Sequence, residues 1–362
     1  MSRIGAGPSR TEESTFVATA QGRDESAFAE MVERYRRELQ VHCYRMLGSF
    51  QESEDLVQET FLRAWRSRGG FQGRSTFRAW LYRIATNACL DFLDRHPRRA
   101  RSYEVIPGAA RSVPGQPPPM VPWLQPYPDR LLDPVAPSDA EPDAVVVAKE
   151  TIELAFLVSI QQLPPRQRAV LILRDVLGWS ANDTATLLEG SVASVKSALQ
   201  RARATLREHL SERRDEWTPS ADPTEQERAV LQRYIDAHER GDASAVAELL
   251  AEEVRLTMPP YPQWFLGREP IVGLHAEVFD PSSEQYHGHW RSLPTRANRQ
   301  PAVAHYCQRP TAEATKTLPG DYRAQVLDVL RVQGGRVAEI TSFEPIMFRA
   351  FGLPLMLDEP AR

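Results

Sequence analysis

Cysteine is scarce in this chain of 362 residues, and long apolar runs are missing from it. The three cysteines, Cys43, Cys89 and Cys307, lie far apart, and none belongs to a CxxC pair. The sequence therefore predicts no redox motif, no metal site and no cofactor. Since no stretch approaches the roughly 18 apolar residues of a membrane span, we expect no membrane association and a reducing, cytoplasmic location.

An excess of positive charge is also missing. The chain has 44 lysines and arginines against 48 aspartates and glutamates, which gives a formal net charge of -4. Because a protein that binds nucleic acid over its whole surface is basic, any nucleic-acid surface here must be local. The hydrophobic content of 42% is sufficient for sizeable cores, and the length predicts two or three domains.

Proline, by contrast, is concentrated in residues 103–143, which hold 11 of the chain's 29 prolines. Because proline fixes φ and lacks an N–H donor, this segment predicts an extended tether. A second break is WTPSADPTEQ at 217–226. The breaks predict a disordered lead at 1–19, a first domain at 20–102, the proline-rich linker at 103–143, a second domain at 144–216 and a third at 225–355.

The first two domains have a helical pattern. Apolar residues recur at three-and-four spacing from Phe28 to Cys43, which is typical of an amphipathic helix. Ser53 is a candidate N-cap for a helix that runs through Trp65, in which Leu56 and Leu62 would face the core. Ser75 is a candidate N-cap for a helix from Phe77 to Arg95.

The third domain changes from helix to strand along the chain. Two helices are followed by runs with strand composition, and a Gly-Gly pair at 334–335 predicts a hairpin between the last two runs. The predicted helices are Glu225–Arg240 and Ala243–Leu250, and the predicted strands are Glu253–Met258, Gln300–Gln308, Tyr322–Gln333 and Arg336–Phe343.

Residues 180–206 have the spacing of a helix-turn-helix. Ser180 can cap a short helix, Glu189-Gly190-Ser191 can form a turn, and a basic second helix begins near Val192. An ordinary helical hairpin with a solvated basic face is the alternative. The residues that the second helix and its start would offer to base edges and phosphates are Ser191, Ser194, Lys196, Ser197, Gln200, Arg201 and Arg203.

Residues 71–101 mix aromatic and cationic side chains. This composition suits single-stranded nucleic acid, because unstacked bases lie on aromatic rings while arginines meet phosphates. The alternative for Trp80 is a place in the helical core.

Four strings carry a family resemblance. SEDLVQETFLRAW at 53–65 and GRSTFRAWLYRIATNACLDFL at 73–93 resemble region 2 of sigma-70-type initiation factors, and LPPRQRAVLILRDVLGWS at 163–180 and SVKSALQRARATL at 194–206 resemble region 4. The space between the two parts is too short for a further sigma domain, which is the mark of the extracytoplasmic-function (ECF) class. The resemblance implies a subunit that binds the clamp and flap of core RNA polymerase and promoter DNA.

The resemblance also implies roles for individual residues. Residues of the 53–65 helix would bind polymerase, and residues of the following helix would bind the minus-ten element, with Asn87 and Asp91 at a flipped base. Asp91 and Asp94 are alternatively plain surface charges. Ala198 and Gln200 depart from the family pattern, so no promoter sequence is inferred. The implied polymerase-binding residues are Asp55, Gln58, Glu59, Phe61 and Trp65, and the implied minus-ten residues are Arg78, Trp80, Asn87, Asp91 and Arg95.

The third domain resembles the SnoaL-like domain appended to some of these sigma factors. The strings are LTMPPYPQWFLGREPIV at 256–272, RSLPTRANRQPAVAHY at 291–306 and LDVLRVQGGRVAEITSF at 327–343. The whole chain is then mainly α, with two helical sigma domains of which the second is a helix-turn-helix, followed by an α+β cone. The resemblance implies a regulatory, non-enzymatic domain, with a small ligand or a separate anti-sigma protein as further partners.

Two other functions remain open at this point. The third domain could be an enzyme, because similar folds use a carboxylate or histidine as acid or base; the candidates are His275, Asp280, His287, His289 and His305. The chain could also be an operator-binding regulator that acts without polymerase. The apolar tail FGLPLML at 351–357 either closes the core of the third domain or reaches the helical domains.

Overall fold

A computed structural model describes residues 25–71, 75–96, 121–132, 152–210, 224–261, 263–309 and 321–358. These residues belong to two compact units, one within 1–101 and 131–217 and the other within 102–130 and 218–362. The predicted disordered lead at 1–19 lies outside the described residues, as do most of the proline-rich segment and the break after residue 217.

Four helices form the first half of the helical unit. Ser49, not Ser53, caps the third helix by accepting a hydrogen bond from the Glu52 N–H, while the buried Ser53 hydroxyl donates to the Phe50 carbonyl at 2.6 Å. Thr76, not Ser75, caps the fourth, whose predicted bounds are confirmed. The helices are α1 (Glu25–Glu33), α2 (Arg36–Leu47), α3 (Phe50–Ser67) and α4 (Phe77–Arg95).

The second half of this unit is also helical, and it contains the predicted helix-turn-helix. Ser180 caps the first helix of the motif through the Asp183 N–H, as predicted. The second helix begins at Val192, also as predicted. The elements are α5 (Leu154–Gln161), α6 (Pro165–Leu171) with a π-helical turn (Ile172–Val176), α7 (Ala181–Leu187) and α8 (Val192–Leu210).

A buried arginine joins the two halves. The Arg168 side chain on α6 donates to the carbonyl of Met46 at the end of α2 and to three carbonyls around the end of α5: Ile160 at 2.9 Å, Gln161 at 2.9 Å and Leu163 at 3.0 Å. Because carbonyls at a helix C-terminus carry partial negative charge, two helix ends compensate this cation. The halves are therefore packed together, not merely linked by a tether.

The second unit is an α+β domain in which helices cover a curved sheet. The helices are α9 (Glu225–Glu239), α10 (Ala243–Leu249) and α11 (Arg268–Phe279), and the strands are β1 (Leu250–Thr257), β2 (Trp264–Leu266), β3 (His289–Ala297), β4 (Gln300–Gln308), β5 (Tyr322–Gln333), β6 (Arg336–Phe343) and β7 (Met356–Leu357).

Among the described residues these seven strands form one sheet in the order β2-β1-β6-β5-β4-β3, with β7 paired to β5. Strands β1 and β6 are parallel, and the other pairs are antiparallel. Register shifts in β4 and β5 mark bulges, which bend a sheet.

The apolar tail belongs to this sheet. Met356 and Leu357 pair with Arg323 and Tyr322 of β5, and the preceding Phe351 is buried. The first of the two alternatives for the tail is thus partly right: the tail pairs within its own domain, but only Phe351 is buried, whereas Leu355 and Met356 are 40% and 49% exposed.

Part of the proline-rich segment also belongs to this unit, so an extended tether is the wrong description of residues 121–130. Val121, Leu124 and Tyr127 are buried, and Pro128 forms a β-bridge with Ala297. Proline excludes regular helix and central strand, but it does not exclude packing at a sheet edge.

Candidate polymerase, promoter and regulatory sites

The predicted polymerase-binding residues lie along α3. Asp55 and Gln58 are exposed, while Glu59, Phe61 and Trp65 are half-buried. Phe61 lies under the Arg36 guanidinium, whose carbon is 5.0 Å from the ring centre.

Leu62 does not face the core, contrary to the prediction. It is 51% exposed, whereas Leu56 is 8% exposed. Six residues of an α-helix turn through about 600°, so the two leucines point in different directions. The α3 surface therefore includes an exposed apolar side chain next to Phe61.

Two of the predicted minus-ten residues take part in packing within the unit. The Arg78 guanidinium donates to the Glu38 carboxylate at 2.9 Å and lies over the Tyr82 ring at 4.9 Å. The half-buried Trp80 packs against Phe71, with ring centres 5.1 Å apart. The core alternative for Trp80 is thus partly right, since one side of the ring is covered.

Asp91 also has an internal partner. Arg63 of α3 bonds to Glu59 and to Asp91, each at 2.7 Å, and these two carboxylates raise the pKa of Arg63. Asp91 therefore holds α4 to α3, a role that neither predicted alternative included. Asn87 is half-buried and Arg95 is exposed.

The helix-turn-helix presents a basic face. Ser191 and Ser194 cap the start of α8 reciprocally, each hydroxyl accepting the other residue's N–H at 3.1 Å. Arg203 makes a two-pronged contact with Asp175 at 2.7 and 2.8 Å, which raises the pKa of Arg203, so this arginine supports the fold. The predicted residues that share an exposed face are Lys196, Ser197, Gln200 and Arg201.

The turn of this motif contacts α4. Glu189 has a positive φ of 51°, and its carboxylate accepts a hydrogen bond from Arg83 at 2.9 Å. Both side chains are exposed, so this contact is weak and can be exchanged for others.

Of the acid/base candidates of the α+β domain, His275 and His305 are brought together, both against His238, and Asp280 and His289 are not part of this group. Asp280 and His289 are exposed and His287 is half-buried, whereas His275 and His305 are buried. The structure also places His305 beside two residues that were not predicted.

The cluster in the domain core consists of His238 on α9, His305 on β4 and Asp328 on β5. The two imidazoles stack with centres 4.3 Å apart, and the His305 Nε2 lies 3.5 Å from an Asp328 carboxylate oxygen. Burial, with His305 and His275 nearby, holds the pKa of His238 well below its ordinary value. The only sequence signal for this cluster is Asp328, a charged residue inside an apolar strand.

Comparison with known proteins identifies all three parts. Family models match residues 31–99 as Sigma-70 region 2, residues 153–206 as Sigma-70 region 4, and residues 231–340 as a SnoaL-like domain. The ECF RNA polymerase sigma factor SigG of Mycobacterium tuberculosis is 39% identical over 330 residues, which cover 90% of this chain and 84% of SigG. The chain belongs to the ECF sigma factors.

This sigma factor binds core RNA polymerase and promoter DNA and directs promoter-specific initiation of transcription. The alternative of a regulator that acts without polymerase is therefore wrong. The RNA polymerase sigma-H factor of Pseudomonas aeruginosa is 31% identical over 195 residues, which cover 54% of this chain and 92% of that protein.

The fold class is confirmed as well. The crystal structure of the M. tuberculosis ECF sigma factor SigJ matches with a TM-score of 0.52 at 21% identity, over 90% of this chain and 99% of SigJ. Within the described residues of this sigma factor, no helix has the length and apolarity that would be needed to cross a bilayer.

If the Lys196 ammonium neutralises a phosphate, replacing Lys196 by alanine should weaken promoter binding of the holoenzyme. It should also reduce the slope of log binding constant against log salt concentration by about 1. Titrations of holoenzyme with promoter DNA at several salt concentrations measure the affinity and the slope. Loss of discrimination between promoters at an unchanged slope would assign Lys196 to a base edge.

A matched control is Arg349→Ala, which removes one exposed positive charge from the α+β domain and should change neither quantity. If the Lys196 variant behaves like this control, Lys196 does not lie in the promoter interface.

Proposed function

We propose that the SnoaL-like domain modulates initiation by holding part of the connection between regions 2 and 4. The observation that carries the proposal is the packing of residues 121–130 within the C-terminal unit. Tyr127 is fully buried there. Because this segment lies on the chain between the two DNA-binding regions, its release or retention changes how far those regions can separate.

The contacts of the held segment are specific. The Tyr127 N–H donates to Asn298 Oδ1 at 2.7 Å, and the Asn298 N–H donates to the Tyr127 carbonyl at 2.9 Å. Asp129 accepts the Arg299 N–H at 2.8 Å and forms an ion pair with Arg296 at 3.2 Å. Asn298 and Arg299 both have positive φ, 56° and 62°, as a two-residue hairpin turn requires. The turn between β3 and β4 thus forms the binding surface.

Separation of the two regions is required by the promoter. Elements at minus ten and minus thirty-five lie roughly 25 base pairs apart, about 85 Å along B-DNA at 3.4 Å per pair. The buried Arg168 holds regions 2 and 4 in one compact unit. The packed form must therefore open for both elements to be bound, and a held connection opposes that opening.

Releasing the segment should raise run-off transcription. The double variant Asn298→Gly with Asp129→Ala removes two hydrogen-bond acceptors and one ion pair, while glycine keeps the positive φ. We expect transcription to rise roughly fivefold, which corresponds to about 1 kcal/mol, together with faster amide exchange in 121–130.

Glu253→Ala is the control, because it removes an exposed carboxylate from β1 of the same domain. It should change neither exchange nor transcription. If the double variant shows faster exchange in 121–130 and unchanged transcription, the held segment does not regulate initiation.

We further assign polymerase binding to the exposed surface of α3 and minus-thirty-five binding to the exposed face of α8. In the minus-ten region, Asn87 and Arg95 are the assigned DNA contacts, since Arg78 and Asp91 bond within the unit.

We also propose domain limits of 20–102, 144–216 and 225–355, with 121–130 added to the last. The three family matches lie inside these limits.

We infer that the SnoaL-like domain has a non-enzymatic role. We also infer that the protein acts in the cytoplasm, because RNA polymerase and the chromosome are located there. ECF sigma factors are not enzymes, although the SnoaL-like superfamily includes some. The exposure of Asp280 and His289 supports this inference, because neither shares a site with the buried histidines.

A further inference from the structure

We propose that His238, His305 and Asp328 form a binding site for a divalent transition-metal ion of the zinc type. Each residue offers one ligand atom, and these atoms all lie within 4.8 Å of one another. All three side chains are buried, with exposures of 3%, 0% and 5%. They come from α9, β4 and β5, so the folded domain alone brings them together.

The histidines are oriented as metal ligands are. The Nδ1–H of His238 donates to the Tyr234 carbonyl at 2.9 Å, which leaves the lone pair of a neutral ring on Nε2. The His305 Nδ1 bonds to Ser292 Oγ at 2.8 Å, and among the described residues its Nε2 has no hydrogen-bond partner. In metal sites, one ring nitrogen of a histidine usually bonds to a polar neighbour, which orients the ring, while the other nitrogen binds the ion.

The carboxylate is held in the same way. Ser342 donates to one oxygen of Asp328 at 2.6 Å, and Tyr234 donates to the other at 3.0 Å. The second oxygen lies 3.5 Å from the His305 Nε2. In a tetrahedral zinc site with bonds of about 2.0–2.1 Å, neighbouring ligand atoms are about 3.3 Å apart. The Asp328–His305 pair already has nearly this separation. All three ligand atoms lie within 4.8 Å of one another, so His238 has to move closer when an ion binds.

The charge of the cluster favours a cation. Asp328 is a buried carboxylate that accepts hydrogen bonds from two neutral hydroxyls, those of Ser342 and Tyr234. An anion in an apolar core is costly unless a positive charge compensates it. Two imidazoles and one carboxylate suit zinc rather than magnesium or calcium, which prefer all-oxygen ligands.

His275 is a neighbour of the cluster, although it is not one of its three ligand residues. The His275 ring lies 5.0 Å from that of His238, and its Nδ1 is bonded to the Ile271 carbonyl at 2.7 Å. Trp290 and Phe279 line the neighbourhood with aromatic rings. The competing explanation is a metal-free polar core in which His305 pairs with Asp328.

The test uses the full-length protein, stripped with a chelator and then titrated with Zn²⁺ and Co²⁺. We expect about one ion per chain by elemental analysis, visible Co²⁺ bands of tetrahedral type, and a Tm that rises with free Zn²⁺. His305→Gln and Asp328→Asn should lose stoichiometric binding. His289→Gln, which changes an exposed histidine of the same domain, should bind as the parent does.

Two outcomes overturn the proposal. One is a folded parent protein that binds no ion at stoichiometric Zn²⁺, which would leave the metal-free core. The other is equal binding by the His305 variant, which would place the ion elsewhere. If a variant fails to fold, X-ray absorption of the zinc-loaded parent decides instead: a nitrogen and oxygen shell with two or three imidazoles supports the site, and sulfur or no imidazole excludes it.

Discussion

Replacement of Arg168 by methionine is expected to lower the free energy of unfolding of the helical unit by about 3–5 kcal/mol. The guanidinium is 4% exposed and donates to five oxygens, one on the Gln161 side chain and four on the backbone. Methionine fills similar volume but donates nothing. Each buried acceptor left without a donor costs about 1–3 kcal/mol, and water that enters the site recovers part of the sum.

Denaturant titration of the full-length protein, with hydrogen exchange in the peptides of α2 and α5, measures this loss. Arg166→Met is the matched control on the same helix, because Arg166 is exposed and makes one hydrogen bond, to the Leu188 carbonyl. It should cost no more than about 1 kcal/mol. Equal losses for the two variants would show that Arg168 contributes nothing beyond an ordinary surface arginine.

The second large effect is expected at Leu62. Leu62→Asp should weaken binding to core polymerase by about 30-fold, which corresponds to ~2 kcal/mol, while helix content stays the same. The side chain is 51% exposed, so its change costs little in the free protein. In the complex, an aspartate would be desolvated against an apolar surface.

Fluorescence titration of labelled sigma factor with core polymerase measures this affinity. Gln51→Asp, an added charge at the exposed start of α3, is the control and should bind as the parent does. Phe61→Ala should also weaken binding by about 2 kcal/mol, in part through loss of its contact with Arg36. Parent-like affinity of the Leu62 and Phe61 variants would move the polymerase contact away from α3.

The elements that the sequence predicted well are those with a strong local signal. The bounds of α4 and of β4 to β6 agree with the structure, because a regular residue pattern or a Gly-Gly turn marks them, although the cap of α4 is Thr76 and not the predicted Ser75. Strand β3 was missed because Pro294 and polar residues interrupt its pattern, and α11 because Pro270 and Gly273 lower its helix propensity.

The roles that the sequence could not give depend on partners distant in the chain. Arg203, for example, lies in a basic helix, and the sequence therefore predicts that it contacts a phosphate. The structure shows that it bonds to Asp175, which lies 28 residues away in the chain. Likewise, no local pattern connects His238 with Asp328, since 90 residues separate them. The family resemblance gave the function correctly, but these partners required the folded chain.

The held segment at 121–130 makes the C-terminal domain discontinuous in sequence. A cut near residue 216 leaves Val121, Leu124 and Tyr127 without the domain that buries them, so the shortened protein gains exposed apolar surface in its linker. The complementary fragment loses the residues that pair with the end of β3, the last strand on its side of the sheet. An uncovered strand edge invites pairing with other chains. Exchange of this domain between sigma factors therefore requires two pieces to be transplanted together.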